Sequence, residues 1–304
     1  MHTRSYAARR DTWPKTLAGW LAQMRDTSAA LFWTGVALLV MSCFTLILLQ
    51  TDTRLFQGVS VWLKPWKFQV SVGIYLLTLC VFLMGLPEAE RRGFWVHTLA
   101  RTAVFCGVFE VLYISWQGML GLASHFNRSS EFYIAMYRLM GVGAALLTTS
   151  SLVLAAVIAR SVRYRAAGVV KLGIVVGLVL TWVLGLGFGA YMSAQPTGHL
   201  VGALVTDTGG LPVVNWSRSA GDLRVPHFFG IHAMHFVPLA AWLVSLTRLK
   251  DTSARRLLWV FAAAYVALTV ATFVQAGAGN PFVANSNNLE TDKLAVLASH
   301  MARF

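Results

Sequence analysis

Seven apolar runs, separated by short polar segments, dominate the pattern along this chain. They lie near residues 29–50, 66–86, 94–123, 131–160, 169–194, 223–248 and 256–279. Each is long enough to cross a bilayer, which takes about 20 residues of α-helix. The pattern predicts an all-α polytopic membrane helix bundle with seven transmembrane helices. The third and fourth runs exceed that length, which implies tilt or a protruding end. Three regions follow: a polar, basic N-terminal segment 1–28, a seven-helix domain 29–280 with a long loop at 195–222, and a tail 281–304. The first run is too long for a signal-peptide core, and Leu48-Leu49-Gln50-Thr51 after it offers no small-residue cleavage site, so it reads as an uncleaved first helix. Arg9-Arg10 lies too far from it for a twin-arginine signal.

Composition agrees with the pattern. Of 304 residues 57% are hydrophobic and 12% charged, half the charged share of a soluble domain. This excludes a disordered chain, a nucleic-acid-binding domain and a secreted disulfide scaffold. Cys43, Cys80 and Cys106 all fall inside apolar runs and read as buried apolar side chains. The net charge of +13 reads as topology. Fifteen Lys and Arg lie in the N-terminal segment and the alternate loops on its side, against eight on the other side. The positive-inside rule then predicts a cytoplasmic N-terminus, a C-terminus outside and a bacterial inner-membrane location. Gly173, Gly177, Gly185 and Gly189 in the fifth run predict close helix packing. The loop 195–222 is long for a linker and reads as a functional cover.

Ionisable groups inside a span are costly and are functional candidates by default. At about 1.5 Å rise per residue, Glu110 and His235 fall at the same mid-bilayer depth. Further out come His232 and Tyr113, then Gln117 and Arg138, then Lys67 and Gln69. His125, Asn127, His227, Arg224 and Asp222 mark the outer rim, with Gln275 at the end of the seventh run. Glu110, Tyr113 and Gln117 share one helix face. The inner half offers only His97, Arg101 and the run Thr148 to Ser151. The polar groups thus trace an outward-open pocket ending at an acid–base pair, Glu110 and His235. Lys64 and Lys67 together would attract an anionic substrate or a lipid head group.

The densest chemistry is His227, His232 and His235 within nine residues. His232 and His235, spaced i, i+3, could share a metal ion such as Zn, Fe or Cu. On a straight helix His227 lies about 12 Å from His235 and cannot join them. It could instead pair with His125, at similar depth on another span, as axial ligands of haem b. These patterns point to a metal- or haem-dependent membrane oxidoreductase acting on a small or lipophilic substrate from the outer side. Three alternatives stay open: a proton-coupled transporter or channel using the same residues as a relay, a zinc-dependent lipid hydrolase with Glu110 as base, and an assembly or sensor subunit. Self-association is equally open. A retinal protein is excluded by the missing lysine in the seventh run, and no phosphate-cradling motif suggests ATP use.

Ser124-His125-Phe126-Asn127, Gly209-Gly210-Leu211-Pro212 and Gly221 through Phe228 resemble segments of a family of bacterial multi-pass membrane proteins. The resemblance runs from the first span to the seventh and implies the fold but no activity. Similar sequences carry Gln where this chain has His235, which implies that His125, His227 and His232 are the better ligand candidates.

Overall fold

The structure, a computed structural model, describes residues 13–166, 168–196, 198–202 and 207–284. Among the described residues seven helices are long and apolar enough to span a membrane, and the chain is an integral, multi-pass membrane protein. The N-terminal segment is more than a polar tail. Residues Leu17–Thr27 form α1, ahead of the first span α2 (Ala29–Thr51). Ser28 separates them: its backbone ends α1, and its hydroxyl accepts from Leu31 N to cap α2.

A small hairpin follows, β1 (Leu55–Phe56) paired antiparallel with β2 (Val59–Ser60). Asp52 anchors it, accepting from Trp62 Nε1 at 2.8 Å and from the Arg54 guanidinium. These bonds hold its carboxyl well below the usual range. The second span, α3 (Leu63–Leu83), begins three residues earlier than its apolar run, so Lys64 lies inside the helix. After the short α4 (Glu88–Arg91) come α5 (Phe94–Leu120) and α6 (Glu131–Arg160).

Gly121 ends α5 at φ +70°, a conformation that glycine adopts without strain. Leu122 N returns to Gln117 O at 2.9 Å and Gly121 N to Gly118 O at 3.0 Å, a Schellman closure. It turns the chain directly into Ser124 and His125.

The fifth span is interrupted. Between α7 (Gly168–Leu180) and α8 (Gly187–Ala194), residues Thr181–Leu186 wind as a π-helix. The last two spans are α9 (Arg224–Ser245) and α10 (Asp251–Gly277), and a second two-stranded pair, β3 (Leu200–Val201) with β4 (Gly221–Asp222), ties the long loop together. The small residues do what their spacing predicts, and their partner is α9. A Cβ on Gly177 would sit 2.8 Å from Pro238 Cδ and 2.9 Å from Ala233 O, and one on Gly185 would sit 2.9 Å from the Ile231 side chain. Thr181, in the π segment, locks the contact by accepting from Met234 N at 2.8 Å.

The two ends of the bundle differ. Leu76, Leu79 and Leu83 of α3, Leu99 and Ala103 of α5, Leu154 and Ile158 of α6 and Leu178 of α7 form a dry core at the end away from the hairpin. At the hairpin end the loops fold over one another: Arg54 donates to Met119 O, Asp207 N to Gln57 O and Leu223 N to His199 O. A cavity lies beneath them.

Candidate functional site

The cavity has a volume of about 330 Å³, within the range of small-ligand pockets. It is built from four places: the hairpin, the first turns of α3, the last turn of α5 with its Schellman exit, and the long loop 195–222 with the start of α9. Phe56, Leu63, Phe68, Ile114, Leu122 and Phe126 give it apolar walls.

Its charged groups are Lys64, Lys67, Arg224 and Asp207, with the histidines His125 and His199. Arg224 is fully committed. It donates to Asp222 through Nε and Nη2, to Asn215 O at 2.6 Å and to Asp207 at 3.1 Å. Asp222 is buried and also accepts from Ser217 N and Arg224 N, so it organises the loop without facing the cavity. Burial would raise the Asp207 carboxyl, but the hydrogen bond from His199 and the Arg224 charge outweigh it, and it falls to about 2. Lys67 donates to Val214 O at 3.1 Å.

Lys64 is different. It lines the cavity, and among the described residues its ammonium makes no hydrogen bond and no ion pair. Among the described residues around the cavity, the formally positive Lys64, Lys67 and Arg224 face Asp207 and the Asp222 behind it, one formal positive charge more than negative.

His125 holds its ring against Phe68 and Tyr137, with Nδ1 3.1 Å from Ser124 Oγ. Removal from water, and then repulsion from Lys64, hold it well below the usual histidine range, so it is neutral at physiological pH.

No protein-family model, curated protein or solved structure matches this chain. Its chemistry therefore rests on its own geometry, residue by residue.

The three histidines of α9 do not form one site. His227 donates from Nδ1 to Gly185 O at 3.0 Å, and its ring fills the space over Gly189. No hydrogen bond or ring contact joins it to His125 among the described residues, so the structure does not assemble the expected axial pair. His232 and His235 do meet, with their Nδ1 atoms 3.2 Å apart. The direction of this bond can be deduced. Thr78 spends its hydroxyl proton on Ile74 O, so at 3.1 Å it must accept from His235 Nε2–H. A neutral His235 then accepts on Nδ1 from His232. Among the described residues no group of three His, Cys, Asp or Glu side chains is placed to hold a metal ion.

Thr78, the partner of His235, lies about 9 Å inward along α3 from Val72, which packs on Gly107, so Glu110 shares neither depth nor location with His235. Glu110 is 3% exposed and packs against Gly143 of α6, whereas His235 bridges to α3 through Thr78. No bond connects them. Arg138 is exposed on α6 and pairs with neither. Tyr113 packs with Ile114 and Met140. Asn127 folds its amide onto Ala123 O and Ser129, and Gln275 donates to Pro281 O, so both close local turns outside the cavity. Gln117 is buried with neither amide atom bonded to protein.

His199 and Asp207 had no signal in the sequence, because they lie in a loop without periodicity. Their link, 3.2 Å from Nε2 to Oδ1, forms only when the loop closes on itself.

Proposed function

We propose that this membrane protein binds a small amphiphilic anion, a carboxylate or phosphate on an apolar body, in the cavity at the hairpin end. The observation that carries this is the unpartnered Lys64 ammonium in a cavity with apolar walls and a surplus positive charge. An ammonium left without a partner in a partly enclosed site is costly, and a bound anion removes that cost. The charge bias of the loops supports placing this end on the extracytoplasmic side of a bacterial inner membrane.

The test is calorimetric titration of the full chain in non-ionic detergent with octanoate, octyl phosphate and uncharged octanol, repeated on Lys64→Gln. The anions bind and octanol does not, and the variant loses at least about tenfold in affinity, the scale of one charge-assisted bond. Since Lys64 holds nothing in place, the variant melts no lower than the parent. An anionic lipid that co-purifies with the parent but not with Lys64→Gln assigns the ligand to the bilayer. Octanoate bound from solution assigns it to the aqueous side. Neither outcome, or equal binding of octanol, overturns the reading.

A second reading keeps the metal-dependent oxidoreductase. It is favoured by the 3.2 Å separation of His232 and His235 Nδ1, close to the ~3.3 Å between two nitrogens on one tetrahedral ion. Further ligands would have to come from the substrate or solvent. Elemental analysis of the purified protein, with an absorption spectrum before and after reduction, tests it together with the haem alternative. Metal retained by the parent and lost in His232→Ala supports it.

A further inference from the structure

A second concave site lies at the opposite end of the bundle. It is a groove of about 490 Å³ between the start of α5 and the end of α6. These two spans run antiparallel, and Ser150 Oγ of α6, 3.4 Å from Leu99 O of α5, sets their register. Phe94 is five residues from Leu99, and Arg160 is ten from Ser150. At 1.5 Å per residue Arg160 reaches roughly 7 Å beyond the first residue of α5, level with the single turn of α4. Below that rim the groove is apolar. Phe94 and Trp95 line it and are 71% and 62% exposed, their rings edge to face at 5.4 Å, and Val157 continues the wall on α6.

The rim collects hydrogen-bond donors that have no protein partner among the described residues. Gly93 stands at the N-cap of α5 and supplies no side-chain cap. Val96 N and His97 N both bond Gly93 O, which leaves the N–H groups of Phe94 and Trp95 open. Ser161 lines the inner wall at 3% exposure, and its hydroxyl is unbonded. Buried polar atoms of this kind are uncommon and call for an explanation. Beside it the exposed Arg160 guanidinium makes no ion pair among the described residues. An uncapped helix start, a hydroxyl and a guanidinium together complement a phosphate.

One acidic group shares the groove. Glu90 lies one turn before Phe94, with its carbonyl accepting from Gly93 N at 3.0 Å, and its carboxylate has no partner among the described residues. Glu88 of the same turn is already paired with Arg92. A purely anionic head group would meet Glu90 as a like charge. A head group with an ammonium two carbons from its phosphate satisfies both ends of the rim.

We propose that this groove binds a phospholipid with a phosphoethanolamine head group. The phosphate sits on Arg160 and the open start of α5, backed by the Ser161 hydroxyl. The primary ammonium donates to Glu90, and the acyl chains leave over Phe94, Trp95 and Val157. Choline, with no N–H to donate, is the poorer fit. The site is separate from the hairpin-end cavity and does not rest on the anion reading.

The experiment is native mass spectrometry of the full, delipidated chain in non-ionic detergent. Dioleoyl phosphatidylethanolamine, phosphatidylglycerol and phosphatidylcholine are offered singly at equal concentration. The parent binds one phosphatidylethanolamine at least about tenfold more tightly than either other lipid, the scale of one charge-assisted bond. Arg160→Gln loses about that factor, and Glu90→Gln still binds but no longer prefers phosphatidylethanolamine over phosphatidylcholine. Glu90→Lys turns the preference toward phosphatidylglycerol, a gain that misfolding cannot mimic. Lys64→Gln, at the other end of the bundle, leaves the phosphatidylethanolamine affinity unchanged. Equal binding of the three lipids in the parent, or tighter binding of phosphatidylcholine or phosphatidylglycerol, overturns the proposal. So does a preference that survives Glu90→Gln, or one that disappears in Lys64→Gln, which would place the lipid in the hairpin-end cavity.

Discussion

Replacing Asp222 by Ala tests whether the cavity roof is held by one buried carboxylate. Asp222 is 1% exposed and accepts from Ser217 N at 2.9 Å, from Arg224 N at 3.0 Å, and from Arg224 Nε and Nη2 at 2.9 and 2.7 Å. Removing one partner of a buried pair costs about 3–5 kcal/mol, because the remaining charge is stranded. Arg224 keeps Asp207 and Asn215 O, which favours the lower end, about 3 kcal/mol. At about 2–4 °C per kcal/mol, the melting temperature falls by roughly 6–12 °C. Tryptophan fluorescence of the detergent-solubilised protein reads it directly, since Trp216 of the same loop packs against Phe228, Phe229 and Phe282. Protease sensitivity of the loop should rise in parallel. The double variant Asp222→Ala with Arg224→Met should recover part of the loss, because no charge is then stranded. A single variant that melts within about 2 °C of the parent would refute the argument. A double variant worse than the sum of the two singles would place the cost elsewhere, in the β3–β4 pairing.

Two further outcomes follow from the packing and from His125. Gly177→Val forces side-chain atoms into Pro238 and the Ala233 carbonyl and should cost about 1–3 kcal/mol, read as a lower melting temperature; an unchanged melt would mean that α7 and α9 are not in close contact. His125 is held neutral by removal from water and by Lys64, so its folded form resists a proton that the unfolded chain accepts near pH 6.5. Its contribution is therefore complete above that pH and is lost as pH falls below it. Melting curves taken from neutral to mildly acidic pH should slope downward in the parent and flatten in His125→Gln; parallel slopes would contradict this.

The apolar pattern carried the architecture well, because a bilayer makes a simple demand on length and polarity. Span positions, the close packing of the glycine-rich helix and the covering role of loop 195–222 were all legible. Lys64 and Lys67, close together in the sequence at the rim of a span, do line one cavity. What failed was the step from position along an apolar run to contact. Counting from the centre of each run puts Glu110 and His235 at one depth, but the spans are offset along the bundle: Glu110 packs beside Gly143 of α6, whereas His235 reaches Thr78, well inward on α3. Arg138 is exposed on α6 and meets neither. His227 failed for another reason. The π-helical turn offers the Gly185 carbonyl to its Nδ1, and nothing in Thr181–Leu186 announces such a turn beforehand.

The same contrast bears on transport. A carrier needs its polar path to reach both faces, or a helix break that opens to each in turn. Here the side chains of Thr148 to Ser151, at the end away from the hairpin, are tied to backbone. Thr148 bonds Ala144 O, Thr149 bonds Ala145 O and accepts from Trp182, Ser150 bonds Leu99 O and Ser151 bonds Leu178 O. Between them and the cavity stand Leu76, Leu79 and Leu154, all fully buried. Delivering a ligand to the other face would require separating α3, α5 and α6 through their tightest packing, at the expense of well-formed bonds. The break that does exist, the π turn of the fifth span, faces α9 and is filled there by Ile231, Met234 and His227. The geometry therefore fits the proposed capture of an anion at one face better than passage between two. A proton-linked carrier would need a second conformation in which the α7–α9 contact opens, and a cross-link between Gly177→Cys and Ala233→Cys that left anion uptake into vesicles intact would argue against it.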